Sequence, residues 1–286
     1  MMTTSTSVRP SPIAGTWYSA DPNRLRKTLD DYMEKAELPE LPGEIVALVA
    51  PHAGYLYSGP VAGHAFKAVR GNSYETVAVL SPMHQYYTQP ILTSAHRAYQ
   101  TPLGQIPIDK KILAEVNAQL AQSGNLSLHP VANDQEHSLE IELPFLQCAL
   151  VGDFKLLPIM LRDQNRQTAK IIGKILAEVF KESSALLVAS SDLSHFHPES
   201  VANQLDGQVL DALADFSPDG LFDLKAQGSG QACGLATMAA VLWASRALGG
   251  TDVTVLNYNT SAAITGDRSS VVGYGAAAIT RPAQIG

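Results

Sequence analysis

Cysteine is scarce in this sequence: Cys148 and Cys233 are the only two in 286 residues. Two thiols cannot build the disulfide framework of a small secreted scaffold, and their scarcity fits a reducing compartment in which both stay free. Positive charge is also in short supply. Lys and Arg number 20 against 27 Asp and Glu, a formal net charge of −7. Nucleic-acid and anionic-membrane partners demand clustered cations, so neither is expected. No apolar run approaches the ~20 residues that a membrane span needs, and the opening "MMTTSTSVRPSPIAG" lacks the apolar core of a signal peptide. These absences predict a cytoplasmic protein that acts on a small ligand.

Internal repeats and low-complexity linkers are missing too, and Pro and Gly fall singly between periodic segments. What is present is a composition 45% hydrophobic, enough for one large core, so residues 1–286 are expected to form a single α/β domain with residues 1–20 as an arm packed on it. Asp21 caps a helix with Pro22 at its first position, and Leu25, Leu29, Tyr32 and Met33 repeat at helical spacing. The run "EIVALVAPHAG" then reads as a strand stopped by Pro51. A helix from Pro60 to Arg70 and a strand "ETVAVLSPMH" follow. The next helix starts near Asp109, with Ile112, Leu113, Val116 and Leu120 on one face. A helix over 138–150 contains Pro144, which predicts a kink or a shortening. Beyond it come strand "FKLLPIML", a helix through Ile171, Ile172, Ile175 and Val179, strand "ALLVASS", helices over 199–215 and "GLATMAAVLWASRAL", and strands "VTVLNYN" and "SSVVGYGAAAI". Continuous apolar strands separated by helices predict a largely parallel sheet covered on both faces. Ligands of such sheets bind beyond the carboxyl ends of the strands.

Three apolar strands end in chemistry. "IVALVAPH" delivers His52, "VAVLSPMH" delivers His84, and "LLVASSDLSH" delivers Asp192 and His195. A lone histidine of this kind is usually a hydrogen-bonded loop residue, but repetition at equivalent strand ends points to a metal site or to proton transfer. His96, His129 and His197 read instead as residues of polar loops. Cys233, in the glycine-rich turn "GSGQACG" just before a helix, is placed where the helix dipole favours a thiolate, for metal binding or nucleophilic reactivity; the plainer reading is a small packed residue. Cys148 reads as core. "DQEHSLEIELP" puts His137 at a helix start, where the dipole disfavours imidazolium and leaves a neutral donor or base. Glu136 and Glu142 read as solvated helix-start charges. "GSGQACG" lacks both the lysine and the preceding strand of a phosphate-binding loop. In "HFHP", alternation allows one histidine in the site, and His195 is taken as that one.

The stretches "AGTWYSAD", "APHAGYLYSG", "SPMH", "TPLGQIPID", "DQEHSLEIELPFL", "SSDLSHF", "ACG" and "LNYNTSA", in this order over nearly the whole chain, resemble the MEMO family, including its AmmeMemoRadiSam system protein B members. The resemblance implies a fold similar to the LigB-type class III extradiol dioxygenases, whose non-haem iron is held by two histidines and a glutamate. In the MEMO pattern a cysteine takes the carboxylate position, which implies His52, His84 and Cys233 as metal ligands. Asp192, His195 and His137 would line the pocket as supporting or acid–base groups. One departure stands out: where the family pattern has a glycine-proline-serine-histidine-histidine segment, this chain has "SPMHQ", with Gln85 in place of the second histidine.

Three functions compete on these grounds. The first is redox or O₂-related chemistry on a small substrate, at Fe(II) or, given the soft thiolate, copper. The second is a non-enzymatic scaffold that holds a peptide in the same pocket, as the resemblance implies through animal members linked to phosphotyrosine signalling. The third is a zinc-dependent hydrolase, since His₂Cys with an open position also suits zinc. The family name further implies a functional link to a radical SAM protein.

Overall fold

The computed structural model describes residues 7–124 and 126–283. In chain order, the arm contributes β1 (Val8–Arg9), followed by α1 (Pro22–Lys35), β2 (Glu44–Ala50), α2 (Tyr55–Ala68) and β3 (Thr76–Pro82). Short strands come next: β4 (Ile91–Ser94), β5 (Ala98–Thr101), β6 (Gly104–Pro107) and, after α3 (Lys110–Gly124), β7 (His129–Val131). Then α4 (Glu142–Ala149), β8 (Lys155–Leu161), α5 (Arg166–Phe180), β9 (Ala185–Ser190) and β10 (His195–His197) lead into α6 (Glu199–Ala214), α7 (Pro218–Gln227) and α8 (Leu235–Ala247). The last elements are β11 (Asp252–Thr260), the one-turn α9 (Ala262–Thr265) and β12 (Val271–Arg281).

The apolar runs become the centre of the sheet. β2, β9, β3 and β8 lie side by side and parallel. Their side chains alternate between two cores, as a strand covered on both faces requires. Leu186 and Val188 of β9 enter the core beneath α1, α2 and α4, whereas Leu187 and Ala189 enter the core beneath α5, α6 and α8. Towards the edges the sheet turns antiparallel, with β12 against β2, β11 against β12 and β4 against β8. The whole is therefore a mixed sheet of nine strands, parallel at its centre and again where β7 pairs with β4 at one edge. The hairpin-like link between β11 and β12 explains one edge: it holds no crossover helix long enough to return the chain in the parallel sense. A second, three-stranded sheet joins β1, β5 and β6.

Most helices lie where periodicity puts them. Asp21 caps α1 by accepting Arg24 N–H at 2.7 Å, and Leu25, Leu29 and Met33 are fully buried along its inner face. α2 starts at Tyr55, earlier than expected, and carries Pro60 inside it. The expected helix over 138–150 is instead the shorter α4, and Pro144 falls in its first turn, where a missing N–H breaks no helical bond. α7 was not expected, although Ser217 at its cap, Pro218 at its first position and the left-handed Gly228 after it are ordinary helix punctuation. In the arm, Ile13 and Tyr18 join the core on the α1 and α2 side. No helix among the described residues is long and apolar enough to cross a membrane.

Candidate metal centre

Strand order decides what meets at the edge of the sheet. β9 lies between β2 and β3, so the segments that leave these three strands emerge as neighbours. They bring His52, His84 and Asp192 together, and the N-terminal end of α8 brings Cys233 against them. The donor atoms of His52, His84 and Cys233 all lie within 4.8 Å of one another.

His52 is fully buried, and its hydrogen-bond partners define its tautomer. Ser190 Oγ donates its single hydrogen to Ser138 O at 2.6 Å. The 2.8 Å contact between Ser190 Oγ and His52 Nδ1 must then be an Nδ1–H donation. Nε2 is left as a bare lone pair, 3.2 Å from Cys233 Sγ. Burial first, and then the neighbouring imidazoles, hold His52 far below the usual imidazole range, so it is neutral.

His84 reaches the same arrangement by a different route. Its Nδ1 donates to Glu136 Oε1 at 2.9 Å and its backbone N–H to Glu136 Oε2 at 2.6 Å, which frees Nε2 for a ligand. A carboxylate behind a ligating imidazole fixes the ring and strengthens the donor. Burial, the largest single influence, opposes a charge on His84, but the Glu136 hydrogen bond together with the Glu136 and Asp192 charges outweighs it and raises the imidazole above its ordinary value.

Glu136 is thus a working part of the site, and the expectation of a solvated charge is overturned. It is 1% exposed, and besides His84 it accepts the backbone N–H groups of His137 and Ser138 at 3.0 Å each. Burial works against its ionisation, yet those donors keep it well below the usual carboxylate range. Donor atoms of His84, Glu136 and His137 also lie close enough to form a second ligand group. Both oxygens of Glu136 are already committed to N–H donors, so the first group is the better ligand set. Glu142 is buried as well, and burial pushes its carboxyl well up.

Cys233 corrects another expectation. The helix end does not make it a thiolate: burial first, and then the Asp192 carboxylate, push its thiol well up. A thiolate here needs a stronger cation than a helix dipole supplies. The position itself is enforced by Gly234, where a Cβ would stand 2.4 Å from Ser190 O and 2.7 Å from Ser191 Cβ.

Asp192 Oδ1 accepts the His52 backbone N–H at 2.7 Å, and Oδ2 stands 4.0 Å from His52 Nε2. Burial raises its carboxyl to about 7 against the pull of the His52 and Ala53 amides. His137 stacks between Trp17 and His84, with ring centres 4.2 and 4.8 Å away. It is neutral as expected, lowered to about 4, but burial is the cause and not a dipole, because α4 begins only at Glu142. His195 Nδ1 donates to Leu193 O at 2.9 Å, which keeps Nε2 unprotonated in the neutral ring. It lies beside the cluster but in neither ligand group. His197 pairs with Gln231. His96, expected in a polar loop, is fully buried and its Nε2 accepts Asn133 N–H. Gln85 Oε1 accepts Gln135 N–H at 3.4 Å and is not among the ligands.

An α/β sheet with imidazoles and a thiol converging at its carboxyl edge defines a candidate metal-binding protein. The family model "Memo-like protein" matches residues 9–278, and the chain belongs to that family. A MEMO1 family protein of Methanosarcina mazei is 34% identical over 94% of this chain and 98% of its own length. Others, from Nitrosopumilus maritimus and Methanopyrus kandleri, are each 32% identical, over 94% and 96% of this chain and 98% and 99% of their own lengths. Among solved structures, an uncharacterized protein of Escherichia coli K12 shares the fold, with a TM-score of 0.56 at 16% identity, covering 82% of this chain and 99% of that one.

Proposed function

We propose that this MEMO-family chain binds one metal ion through His52 Nε2, His84 Nε2 and Cys233 Sγ, and uses it for redox or O₂-related chemistry on a small substrate. The observation that supports this most is the pair of imidazoles whose Nδ1–H groups are both tied back, to Ser190 and to Glu136, leaving two Nε2 lone pairs beside one sulfur. Iron(II) comes first because the MEMO resemblance implies a fold similar to the class III extradiol dioxygenases, which hold a non-haem iron. The thiolate keeps copper next and zinc behind it. When bound, iron or copper would supply a Lewis-acidic, redox-active centre, whereas zinc would supply the Lewis acid alone.

The protein side of the work falls to the surrounding groups. His84 is 39% exposed at its side chain while His52 is buried, so the cluster is open on one side and closed on the other. Asp192, raised to about 7, is suited to exchange a proton near neutrality. His137 and His195 are neutral imidazoles, each able to accept a proton from a bound substrate.

The test is anaerobic purification without a metal-affinity tag, followed by elemental mass spectrometry of the wild type, His52→Ala and Cys233→Ala. Near-stoichiometric iron or copper, lost in both variants, supports the proposal; zinc in their place selects hydrolysis. No metal and no uptake on reconstitution selects the scaffold reading.

A further inference from the structure

Arg9 is 1% exposed and heads the fully buried large side chains. A buried guanidinium is costly unless its donors are matched, and here they are. Nε donates to Asp134 Oδ2 at 3.1 Å and Nη2 to Asp134 Oδ1 at 2.7 Å. Nη1 donates to Glu140 Oε2 at 2.5 Å, and Nη2 also reaches Glu136 O at 2.8 Å. The Tyr99 ring closes one face, 4.9 Å from Cζ.

Every hydrogen-bond acceptor in that set belongs to residues 134–140, the segment that carries Glu136 and His137. Asp134 Oδ1, held by Arg9, also accepts the Glu136 backbone N–H at 3.2 Å. The guanidinium therefore grips Glu136 at its carbonyl directly and at its amide through Asp134. From that anchored backbone the Glu136 carboxylate reaches His84. The arm adds contacts of its own: Ser11 and Tyr18 donate to Glu140 Oε1, and Trp17 lies against His137.

We propose that Arg9 is a positioning residue for the metal centre, so that docking of the arm and binding of the metal ion strengthen each other. The inference rests on the reading that His52, His84 and Cys233 hold a metal. Its physical basis is tolerance: a supporting carboxylate has to stay within roughly 0.5 Å of its place to orient a ligating imidazole, and two anchors of the Glu136 backbone, at its carbonyl and its amide, pass through Arg9. Linkage is reciprocal, so the factor by which the docked arm tightens metal binding equals the factor by which metal holds the arm.

Two measurements test it. In the wild type, amide hydrogen exchange over residues 8–18 is followed with and without saturating Co(II). Metal is expected to slow exchange there by about tenfold, within the usual 5- to 150-fold range of coupling. In Arg9→Lys, which keeps the charge but loses the fork, Co(II) affinity is expected to fall by about tenfold with a changed cobalt absorption spectrum. Leu120→Ala, in α3 and in the core on the other face of the sheet from Ile13, Tyr18 and Leu139, lowers thermal stability as a control and should leave affinity and spectrum unchanged. Cobalt binding with unchanged arm exchange, or an Arg9→Lys variant with wild-type affinity and spectrum, overturns the role of Arg9 while leaving the metal reading intact. A wild type that takes up no cobalt overturns both.

Discussion

Ser190 has one hydrogen to give, and where it goes determines which nitrogen of His52 is free. Glu136 does the same for His84 with more force, since its carboxylate accepts from both the ring and the backbone. Glu136→Gln is expected to weaken metal binding about 10- to 100-fold, measured by competition against a chelator of known affinity, because the amide turns one acceptor into a donor facing N–H groups. At Cys233 the burial-raised thiol means that metal has to displace a proton. Affinity should therefore rise about tenfold or more per pH unit through neutrality. Calorimetry in buffers of different ionisation enthalpy should find at least one proton released per ion bound by the wild type. That His52, His84 and Cys233 come together was legible in the sequence because each follows an apolar run or a glycine turn. Glu136 was not, since a glutamate in a polar stretch looks solvated until distant N–H donors close around it. Arg9 has no local signal at all; its acceptors lie more than a hundred residues away.

The elements that place these residues are strand ends and one helix start. α8 approaches β9 closely only because residue 234 lacks a side chain. Gly234→Ala would force its Cβ into Ser190 O and Ser191, with an expected loss of about 1–3 kcal/mol and weakened metal uptake, checked by denaturant unfolding alongside metal titration. A similar close approach occurs at Gly273, packed on the Asp206 carboxylate, whose Oδ1 accepts Ser194 N–H at 2.8 Å beside His195. The long strands were readable from continuous apolar runs, and α1 and α5 from their periodicity. β4 to β7 and β10 were not: strands of 3 or 4 residues carry too little pattern, and long-range pairing defines them.

For the molecule as a whole, the parallel centre followed from apolar strands alternating with helices, but the strand order did not. Nothing local in "ALLVASS" says that it lies between β2 and β3, and that placement is what makes three separate strand ends into one site. The antiparallel edges were likewise out of reach, because they depend on how short connections return the chain. A site assembled from segments so far apart in sequence couples metal binding to global stability. Saturation at 100 times Kd should add about 2.7 kcal/mol, seen as a Tm roughly 5 °C higher. A strong chelator should reverse the shift, and Cys233→Ala should show little of it.

The most direct test of the central claim is X-ray absorption on anaerobically loaded protein. The account predicts one sulfur scatterer at about 2.3 Å, the usual length of a zinc–thiolate bond, together with the multiple-scattering pattern of two imidazoles. A first shell of oxygen and nitrogen alone, with no sulfur, would contradict it.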